Sequence, residues 1–267
     1  MKNQSEIALL IPHYNSAAAL LKSVQSIQED LPVDVIIVDD GSKIEKINET
    51  KLKALESANL TLYYLYLPEN RGIEEALNTG LKYILKKPYR YIARLDCGDR
   101  CMPNRFDIQK RALCADESLG LVGAYVYYIN LQGEVVHDFK PPTSYAEVLK
   151  KMHINSMFVH PAVMFKREVV EKVGFYPYGY PAAEDFAYFF RIIKHFKAYN
   201  IAQYLIEYEI NPDGISLSHR KEQINSRFKI LKEEFYWGFY PCYGLVRNFI
   251  ISKLPYSLIH KIKKTLR

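Results

Sequence analysis

Two carboxylates stand three positions apart in the segment RLDCGDR, residues 94–100, directly after a run of residues with strand character. Asp96 and Asp99 enclose Gly98, and a turn alone would account for that arrangement. Carboxylate oxygens are also ligands of Mn²⁺ and Mg²⁺, which proteins hold with few carboxylates, water and phosphate oxygens of a substrate. The pair is therefore a candidate metal site. Whether it binds a metal depends on which other residues of the chain lie next to it in the fold.

The first hundred residues alternate two patterns of hydrophobicity. Apolar runs predict strands over 7–12, 33–40, 60–67 and 89–96, and amphipathic stretches predict helices over 17–28, 46–57 and 73–87. Strands that alternate with helices of this length indicate βαβ units and a mostly parallel sheet with helices on both faces. The fold class is therefore α/β, with a Rossmann-like architecture of the nucleotide-binding type.

Polar, turn-forming residues follow each of the four predicted strands. The segments are PHYN at 12–15, DDGS at 39–42, PENRG at 68–72 and DCGD at 96–99. Open parallel sheets bind ligands in the crevice beyond the carboxyl ends of their strands. We therefore expect these four segments to converge on one site that includes Asp96 and Asp99.

The second half of the chain has a looser pattern, which we expect to extend the same sheet and form the other wall of the crevice. It predicts helices over 103–116, 144–152 and 183–196, strands over 120–129, 134–139 and 198–210, and a strand, short helix and turn within 160–176.

Charge and cysteine usage exclude some classes of function. The net charge is +6, but six of the 36 basic residues lie within 235–267, where there is no acid, and the remaining 30 match the 30 acidic residues. A neutral body argues against a nucleic-acid partner, which would favour a basic stripe. The four cysteines lack the spacing of a zinc or redox site, and no signal peptide precedes the first strand, so we expect a reduced, cytoplasmic compartment.

Seven segments, in order over roughly residues 6–219, resemble the family 2 glycosyltransferases of the GT-A fold. They are IPHYN, VDDGS, NRGIEEALNTG, RLDCGD with MPNRF, HPAVMF, VGFY and AED. The resemblance implies a GT-A catalytic domain over 1–220. Its nucleotide-sugar-binding half covers 1–100 and its acceptor-side half covers 101–220, and a helical tail follows over 221–267.

The resemblance implies an inverting enzyme that transfers a sugar from a UDP-, dTDP- or GDP-sugar to a glycan or lipid-linked acceptor in bacterial O-antigen or capsule biosynthesis. Two alternatives stay open at this point. Gly98 favours a non-catalytic nucleotide-sugar-binding or scaffold protein, because it stands where the family has an acid. A sugar nucleotidyltransferase is disfavoured because PHYNSAAALL lacks a glycine-rich basic loop.

The resemblance also assigns the donor contacts. It places Pro12, Tyr14, Asn15, Asp39 and Asp40 on the nucleotide, with the Asp40 carboxylate accepting a hydrogen bond from a base N–H. The alternative is that 39–42 only turns the chain and caps a helix.

Three further residues are assigned to the donor side of the crevice. Asn70 and Arg71 would face the ribose or a phosphate, or else only form a turn. Arg94 would form a salt bridge with an acid of the site.

The family motif Asp-x-Asp-Asp is incomplete in this chain, because Gly98 replaces the acid taken as the main metal ligand. We expect Mn²⁺ or Mg²⁺ to be bound by Asp99, with Asp96 acting as a ligand, through water or on the ribose. Alternatively, Gly98 lets the backbone approach the sugar and weakens the dependence on metal.

The Glu-Asp motif at the start of the predicted helix 183–196 assigns the catalytic base. Asp185 would remove the acceptor hydroxyl proton in a single displacement, which inverts configuration, and Glu184 would contact the donor sugar or the acceptor. A helix N-terminus stabilises an anion, which keeps Asp185 ionised and makes it a weaker base; alternatively, both acids are only helix N-terminal charges. His160 is expected to be structural, and Glu209 and Asn211 stand where related sequences often have Arg and His.

The tail combines aromatic residues with basic ones and has no uncharged apolar run of 18 residues, so it predicts no transmembrane helix. It predicts an interfacial segment on anionic lipid, with Trp237 at headgroup depth, which would attach the protein peripherally to the inner face of the cell membrane. The alternative is a helix packed on the domain or on a second copy in a homodimer.

Overall fold

The computed structural model describes residues 4–211 and 219–253 of the 267-residue chain. Its strands are β1 (Ile7–His13), β2 (Val33–Asp39), β3 (Leu60–Tyr66), β4 (Tyr91–Arg94), β5 (Arg100–Cys101), β6 (Leu119–Ile129), β7 (Val135–Phe139), β8 (Met164–Lys166) and β9 (Lys197–Glu209). Its helices are α1 (Ala17–Gln25), α2 (Glu49–Lys53), α3 (Ile73–Ile84), α4 (Arg105–Ala115), α5 (Tyr145–Lys151), α6 (Arg167–Val173), α7 (Glu184–Ile193), α8 (Arg220–Glu233) and α9 (Phe239–Lys253).

The strands of the described residues form one sheet in the order β3-β2-β1-β4-β8-β6-β9-β5, with β7 paired to β6. β3, β2, β1 and β4 are parallel, as the βαβ pattern predicts. β8 is antiparallel to both of its neighbours, and β6 runs parallel to β9. The second half of the chain therefore extends the same sheet, as expected, but with mixed strand directions.

Helices cover both faces of the sheet because the central strands are apolar on both sides. Ile7, Leu9 and Ile11 pack into one hydrophobic cluster, while Ala8 and Leu10 pack into the other. The approach of α3 to β1 requires Gly80, since a Cβ there would lie 2.2 Å from Cδ1 of Leu10. This close contact fixes α3 on the sheet beneath the predicted site.

Most of the predicted elements are shorter than their patterns indicate, and two of the differences bear on the site. The helix predicted over 46–57 covers only Glu49–Lys53. It begins at Glu49 because Asn48 caps it by accepting a hydrogen bond from the Lys51 N–H at 3.0 Å. The strand predicted over 89–96 ends at Arg94, which leaves Asp96 in a turn.

The pattern does not predict β5, whose two residues are too few to show a period. It forms because β9 offers an antiparallel edge, where Arg100 pairs with Glu207 and Cys101 with Ile206. This pairing joins the acid turn after β4 to the end of the last strand.

The described part of the tail is a pair of helices packed on the domain. Ile230 and Leu231 of α8 are buried, and α9 approaches so closely that a Cβ at Gly244 would lie 1.9 Å from the carbonyl oxygen of His153. Exposed apolar residues cover the outer side of this pair: Tyr236, Trp237, Phe239, Tyr243, Val246, Phe249 and Ile250. None of the helices within 4–211 and 219–253 combines the length and hydrophobicity needed to cross a membrane; residues 254–267 of the predicted tail lie outside the described residues.

Candidate active site

Hydrogen bonds join the four strand-end segments at the carboxyl edge of the parallel strands. The Asn15 N–H donates to Oγ of Ser42 at 2.8 Å, which ties the segment after β1 to the one after β2. The Arg71 N–H donates to Asp40 at 2.8 Å, and Sγ of Cys97 lies 3.3 Å from the Pro12 carbonyl oxygen. The predicted convergence of these segments is therefore present in the structure.

Asp40 holds the loop that follows β3. One carboxylate oxygen accepts from the Arg71 N–H and the other from the Gly72 N–H at 2.9 Å. Burial raises the pKa of Asp40, and the two N–H donors partly oppose that change. Each oxygen keeps a second lone pair, so Asp40 can anchor the loop and still accept a hydrogen bond from a ligand.

Asp39 and Tyr14 lie on the open side of the same edge. Oδ1 of Asp39 accepts from the Ser42 N–H at 3.0 Å and lies 3.4 Å from Nδ1 of His13. A surface cavity of about 530 Å³ adjoins Asp39 and is also lined by Gly41, Ser42, Lys43, Lys46, Ile47, Tyr66, Leu67 and Pro68. Tyr14 is half exposed beside β1. The cavity is large enough for a small planar ligand and carries two lysines that the motifs do not indicate.

Asn15 and Asn70 both serve the backbone of their own loops. The side-chain carbonyl of Asn15 accepts from the N–H groups of Lys43 and Ile44, each at 3.0 Å, and that of Asn70 accepts from Gly72 at 3.1 Å. Arg71 is exposed, and its guanidinium lies 3.3 Å from Glu69. Of Asn15, Asn70 and Arg71, only Arg71 has an exposed, charged side chain that is able to reach a phosphate of the donor.

Arg94 lies beneath the acid pair, fully buried. Its Nη2 donates to Oδ1 of Asp96 at 2.6 Å, and its Nη1 donates to the carbonyl oxygens of Leu10 and Leu95. The predicted salt bridge to an acid of the site is therefore present. Arg94 thus acts on a ligand through Asp96, because its own guanidinium has no open face.

His160 completes this buried network, as its expected structural role implies. Its Nε2 lies 3.3 Å from Nε of Arg94 and 2.9 Å from the hydroxyl of Tyr176. Burial, and then the charge of Arg94, lower the pKa of His160 well below its ordinary value. His160 is therefore neutral and accepts hydrogen bonds at Nε2, which fixes the orientation of Arg94.

Asp99 points away from solvent and toward the end of β9. Its Oδ1 accepts from the Glu209 N–H at 2.8 Å, and its Oδ2 is buried without a hydrogen-bond partner among the described residues. Burial first, and then the charge of Asp96, raise the pKa of Asp99 well above its ordinary value. The two acids of the motif therefore differ: Asp96 is paired and partly exposed, and Asp99 is buried.

The acids of the second motif stand at the first turn of α7. Burial, and then the charge of Asp185, raise the pKa of Glu184 to about 8, so Glu184 is mostly protonated at neutral pH. Burial also raises the pKa of Asp185, while Arg227 and the Phe186 N–H oppose the change. Burial thus outweighs the expected helix N-terminal effect and makes Asp185 a stronger base than an exposed aspartate. Asp96 is among the charges that raise the pKa of each, so both acids lie within electrostatic reach of the acid turn.

Helix α8 holds the loop that carries these acids. Ser226 donates to the Pro181 carbonyl oxygen at 2.9 Å, and Gln223 donates to that of Ala182 at 3.0 Å. Ala182 has a φ of 56°, a left-handed conformation that is strained without such support. The first helix of the predicted tail therefore positions the acid pair, and it supplies Arg227 next to Asp185.

A stability measurement tests the environment of Glu184. A carboxyl group whose pKa rises from 4.5 to about 8 on folding stabilises the protein fully below pH 4.5, and that stability is lost as pH rises through 8. Glu184→Gln removes the titration. We expect the variant to gain stability relative to the wild type between pH 5 and pH 9, by at most about 5 kcal/mol.

Urea unfolding at the two pH values measures this gain. Glu171→Gln is the control, since Glu171 is exposed and paired with Arg167. An equal difference between variant and wild type at both pH values would contradict the assignment.

The residues present can bind a divalent ion only if diphosphate oxygens of the donor and water supply the remaining ligands. Within 4–211 and 219–253, no group of three or more His, Cys, Asp or Glu side chains is arranged to hold a metal ion. The unpartnered Oδ2 of Asp99 is nevertheless an acceptor without a donor, and Asp96 is partly exposed nearby. Mg²⁺ and Mn²⁺ sites at diphosphates often need no more than one or two carboxylates.

Motif reasoning did not assign several residues of this site, because their place beside it depends on packing between segments. Lys43, Lys46 and Tyr66 line the cavity, and Arg227 lies beside Asp185. Arg105, in the quoted MPNRF segment, is fully buried and donates to the carbonyl oxygens of Arg94 and Pro161 at 2.8 Å. Among these residues, only Arg105 had a signal in the sequence, since it directly follows the proline and asparagine that precede helix α4.

A family model described as "Glycosyl transferase family 2" matches residues 8–174. Among characterised relatives, the O-antigen biosynthesis glycosyltransferase WbnJ of Escherichia coli is 26% identical over 66% of this chain and 67% of its own. An E. coli UDP-Gal:alpha-D-GlcNAc-diphosphoundecaprenol beta-1,3-galactosyltransferase is 24% identical over 95% and 90%. An uncharacterised glycosyltransferase of Methanocaldococcus jannaschii is 25% identical over 84% and 78%.

Solved structures resemble this one in fold. The mannosyltransferase PcManGT of Pyrobaculum calidifontis, solved with GDP-Man and Mn²⁺, superposes with a TM-score of 0.64 at 18% identity, over 92% of this chain and 70% of that one. TarS of S. aureus, solved with UDP-GlcNAc, gives 0.64 at 14% identity over 91% and 71%. At these identities the likeness shows the fold alone.

Proposed function

Since the chain belongs to glycosyltransferase family 2 and is a glycosyltransferase with the GT-A fold, we propose that it is an inverting enzyme. It transfers one sugar from a UDP-, dTDP- or GDP-sugar to a glycan or lipid-linked acceptor in bacterial polysaccharide biosynthesis. The observation that carries the proposal is the meeting of the four strand-end segments at one edge of the sheet, with the acid pair of α7 close enough for the charge of Asp96 to act on both of its carboxyl groups.

The Glu-Asp motif assigns different roles to the two acids. Asp185 accepts the proton of the acceptor hydroxyl as that oxygen bonds to the anomeric carbon. The bond from the anomeric carbon to the phosphate oxygen breaks on the opposite face, and the nucleoside diphosphate leaves with the electron pair, so configuration inverts. Glu184, protonated at neutral pH, donates a hydrogen bond to a sugar hydroxyl.

The donor nucleotide binds across the strand ends. Asp40, held by the Arg71 and Gly72 N–H groups, offers its free lone pairs to an N–H of the base, which favours uracil, thymine or guanine over adenine. Lys43 and Lys46 in the neighbouring cavity and the exposed Arg71 are the cations that can meet the donor's negative charge.

Mn²⁺ or Mg²⁺ is the cofactor we propose, held by Asp99 and by Asp96. When bound, the ion neutralises charge on the departing diphosphate. Arg94 fixes one oxygen of Asp96, and the Asp96 side chain stays partly exposed and accessible to the ion. The Mn²⁺ in the PcManGT structure supports a metal at this type of site.

We propose that the tail contacts an anionic membrane, which would bring the enzyme to a lipid-linked acceptor. The named acceptor of the E. coli galactosyltransferase is linked to diphosphoundecaprenol. Trp237 and Phe239 are 89% and 76% exposed, and the sequence from 235 onward has six basic residues and no acid. Aromatic side chains at headgroup depth, with cations that attract anionic lipid, suit an interfacial segment.

Trp237 is the only tryptophan of the chain, so its fluorescence reports on the tail directly. We expect a blue shift with vesicles of phosphatidylcholine containing phosphatidylglycerol, and a weaker one at high salt. Phe239→Ser should weaken vesicle binding several-fold. Leu131→Ser, at an exposed turn outside the tail, should leave vesicle binding unchanged. An unchanged spectrum with anionic vesicles would instead favour a protein partner, such as a second copy.

A donor panel tests the proposed reaction. The full chain is incubated with UDP-, dTDP-, GDP- and ADP-sugars, with Mn²⁺, Mg²⁺ or EDTA, and release of the nucleoside diphosphate is measured with and without lipid-linked acceptors. Turnover of a UDP-, dTDP- or GDP-sugar to a product of inverted configuration supports the proposal. Turnover with retention, or no turnover of any donor, would overturn it, and the second result would favour a scaffold.

A further inference from the structure

Glu209, the last residue of β9, lies opposite the gap in the acid motif. The antiparallel register pairs Arg100 with Glu207 and Cys101 with Ile206, so continuing it brings Gly98 opposite Glu209. A Cβ built on Gly98 would lie 2.7 Å from Oε1 of Glu209. The Glu209 carboxylate therefore occupies the space that a side chain at position 98 would fill.

Two carboxylate oxygens at this point have no hydrogen-bond donor. Oδ2 of Asp99 and Oε2 of Glu209 are both buried and unpartnered among the described residues, and Asp99 as a whole is only 3% exposed. Oδ1 of Asp99 accepts from the Glu209 N–H at 2.8 Å, which holds the two residues together. Buried anionic oxygens without a partner are costly, so the arrangement calls for a cation or a proton.

The neighbouring arginines are engaged elsewhere. Arg94 donates to Asp96 and to backbone carbonyl oxygens, and Arg105 donates to Gln109 and to backbone carbonyl oxygens. Arg100 lies 3.8 Å from Glu207. None of these three guanidinium groups donates a described hydrogen bond to the free oxygens of Asp99 and Glu209.

We propose, on the basis of the proposed function, that Glu209 binds the divalent cation of the donor site together with Asp99. The end of β9 thereby supplies the carboxylate that Gly98 lacks. Mn²⁺ or Mg²⁺ is then held by two protein carboxylates, with diphosphate oxygens and water completing its coordination. The pairing of β5 with β9 would then position the metal ligands, because it holds Glu209 next to Asp99.

Mn²⁺ binding to the full chain tests this assignment without relying on activity. Free Mn²⁺ is measured by electron paramagnetic resonance, with the protein alone and with saturating UDP or GDP. We expect Glu209→Gln to weaken Mn²⁺ binding by about tenfold or more, at least the loss seen when a residue supporting a ligand is removed. Glu207→Gln, two residues earlier on the same strand, should bind Mn²⁺ like the wild type.

Thermal unfolding separates loss of the metal from loss of the fold. In EDTA, Glu209→Gln should be at least as stable as the wild type, because the amide replaces a carboxylate whose buried oxygen has no donor among the described residues. Mn²⁺ with nucleotide should raise the melting temperature of the wild type and of Glu207→Gln, and raise that of Glu209→Gln much less.

Unchanged Mn²⁺ affinity in Glu209→Gln would overturn the assignment, as would a wild type that binds no Mn²⁺ with either nucleotide; the two carboxyl groups then only share a proton. If the wild type transfers sugar and Glu209→Gln retains the wild-type Mn²⁺ affinity, this inference is wrong and the proposed function stands. Mn²⁺ binding that requires Glu209, in a protein that turns over no donor, supports the metal site and fails the proposed transfer.

Discussion

Asp185→Asn is expected to lower kcat for sugar transfer by about 100- to 10,000-fold, the range that a positioned general base contributes. The amide keeps the shape of the side chain and can still accept from the Phe186 N–H, which Oδ1 of Asp185 does at 2.7 Å. It cannot accept the acceptor proton. The donor dissociation constant should therefore stay within about twofold of the wild type, since the substitution removes an interaction made in the transition state.

The measurement is steady-state transfer with the best donor of the panel, together with calorimetric binding of that donor. Asp107→Asn is the matched control, because Asp107 is also an acid in the first turn of a helix, α4, and pairs with Arg111 at 2.6 Å. Its kcat should equal that of the wild type. If Asp185→Asn retained a tenth or more of the wild-type kcat, another group would be the base.

Arg94→Met is expected to lower the free energy of unfolding by about 3–5 kcal/mol, the combined cost of leaving buried hydrogen-bond acceptors without their donor. The substitution leaves the carbonyl oxygens of Leu10 and Leu95 without their donor and removes the partner of His160. It also releases Asp96, whose Oδ1 lies 2.6 Å from the guanidinium. Donor binding should weaken together with stability, since Asp96 then samples other rotamers.

Urea unfolding and donor titration measure the two effects. Arg90→Met is the control from the opposite end of β4, because Arg90 is exposed and its pair with Glu6 at 3.0 Å lies at the surface. Exposed pairs contribute about 0–1 kcal/mol, so this variant should differ little from the wild type. Equal losses in the two variants would mean that the buried network does not stabilise the acid turn.

The sequence alone determined the parallel half of the sheet and the place of the site. The strands that end near Asp39 and Asp96 are short continuous apolar runs, and the helices between them have clear amphipathic periods, so local patterns were sufficient to predict them. Polar segments at the carboxyl ends of parallel strands must meet at one edge, and that geometry predicted the crevice. The motifs then identified the family, which the family model confirms. They also singled out the acid pairs, whose roles stay predictions.

Only the tertiary structure decided the chemical state of those acids. The sequence predicted Asp185 as the catalytic base and expected the helix N-terminus to weaken it, but packing around α7 buries both acids and raises the pKa of each. Helix α8, which the sequence placed in a tail, holds their loop and places Arg227 beside Asp185. Desolvation depends on atoms contributed by distant segments, and no local pattern records it.

The acid turn shows the same division. The sequence identified Asp96 and Asp99 and the anomaly at Gly98, and it predicted that Arg94 would pair with an acid. It could not indicate that Glu209 fills the space beside Gly98, because that contact depends on a two-residue strand pairing across more than a hundred residues of chain. Pairing of such short strands is decided by the edge that the rest of the sheet presents, and that edge exists only in the folded protein.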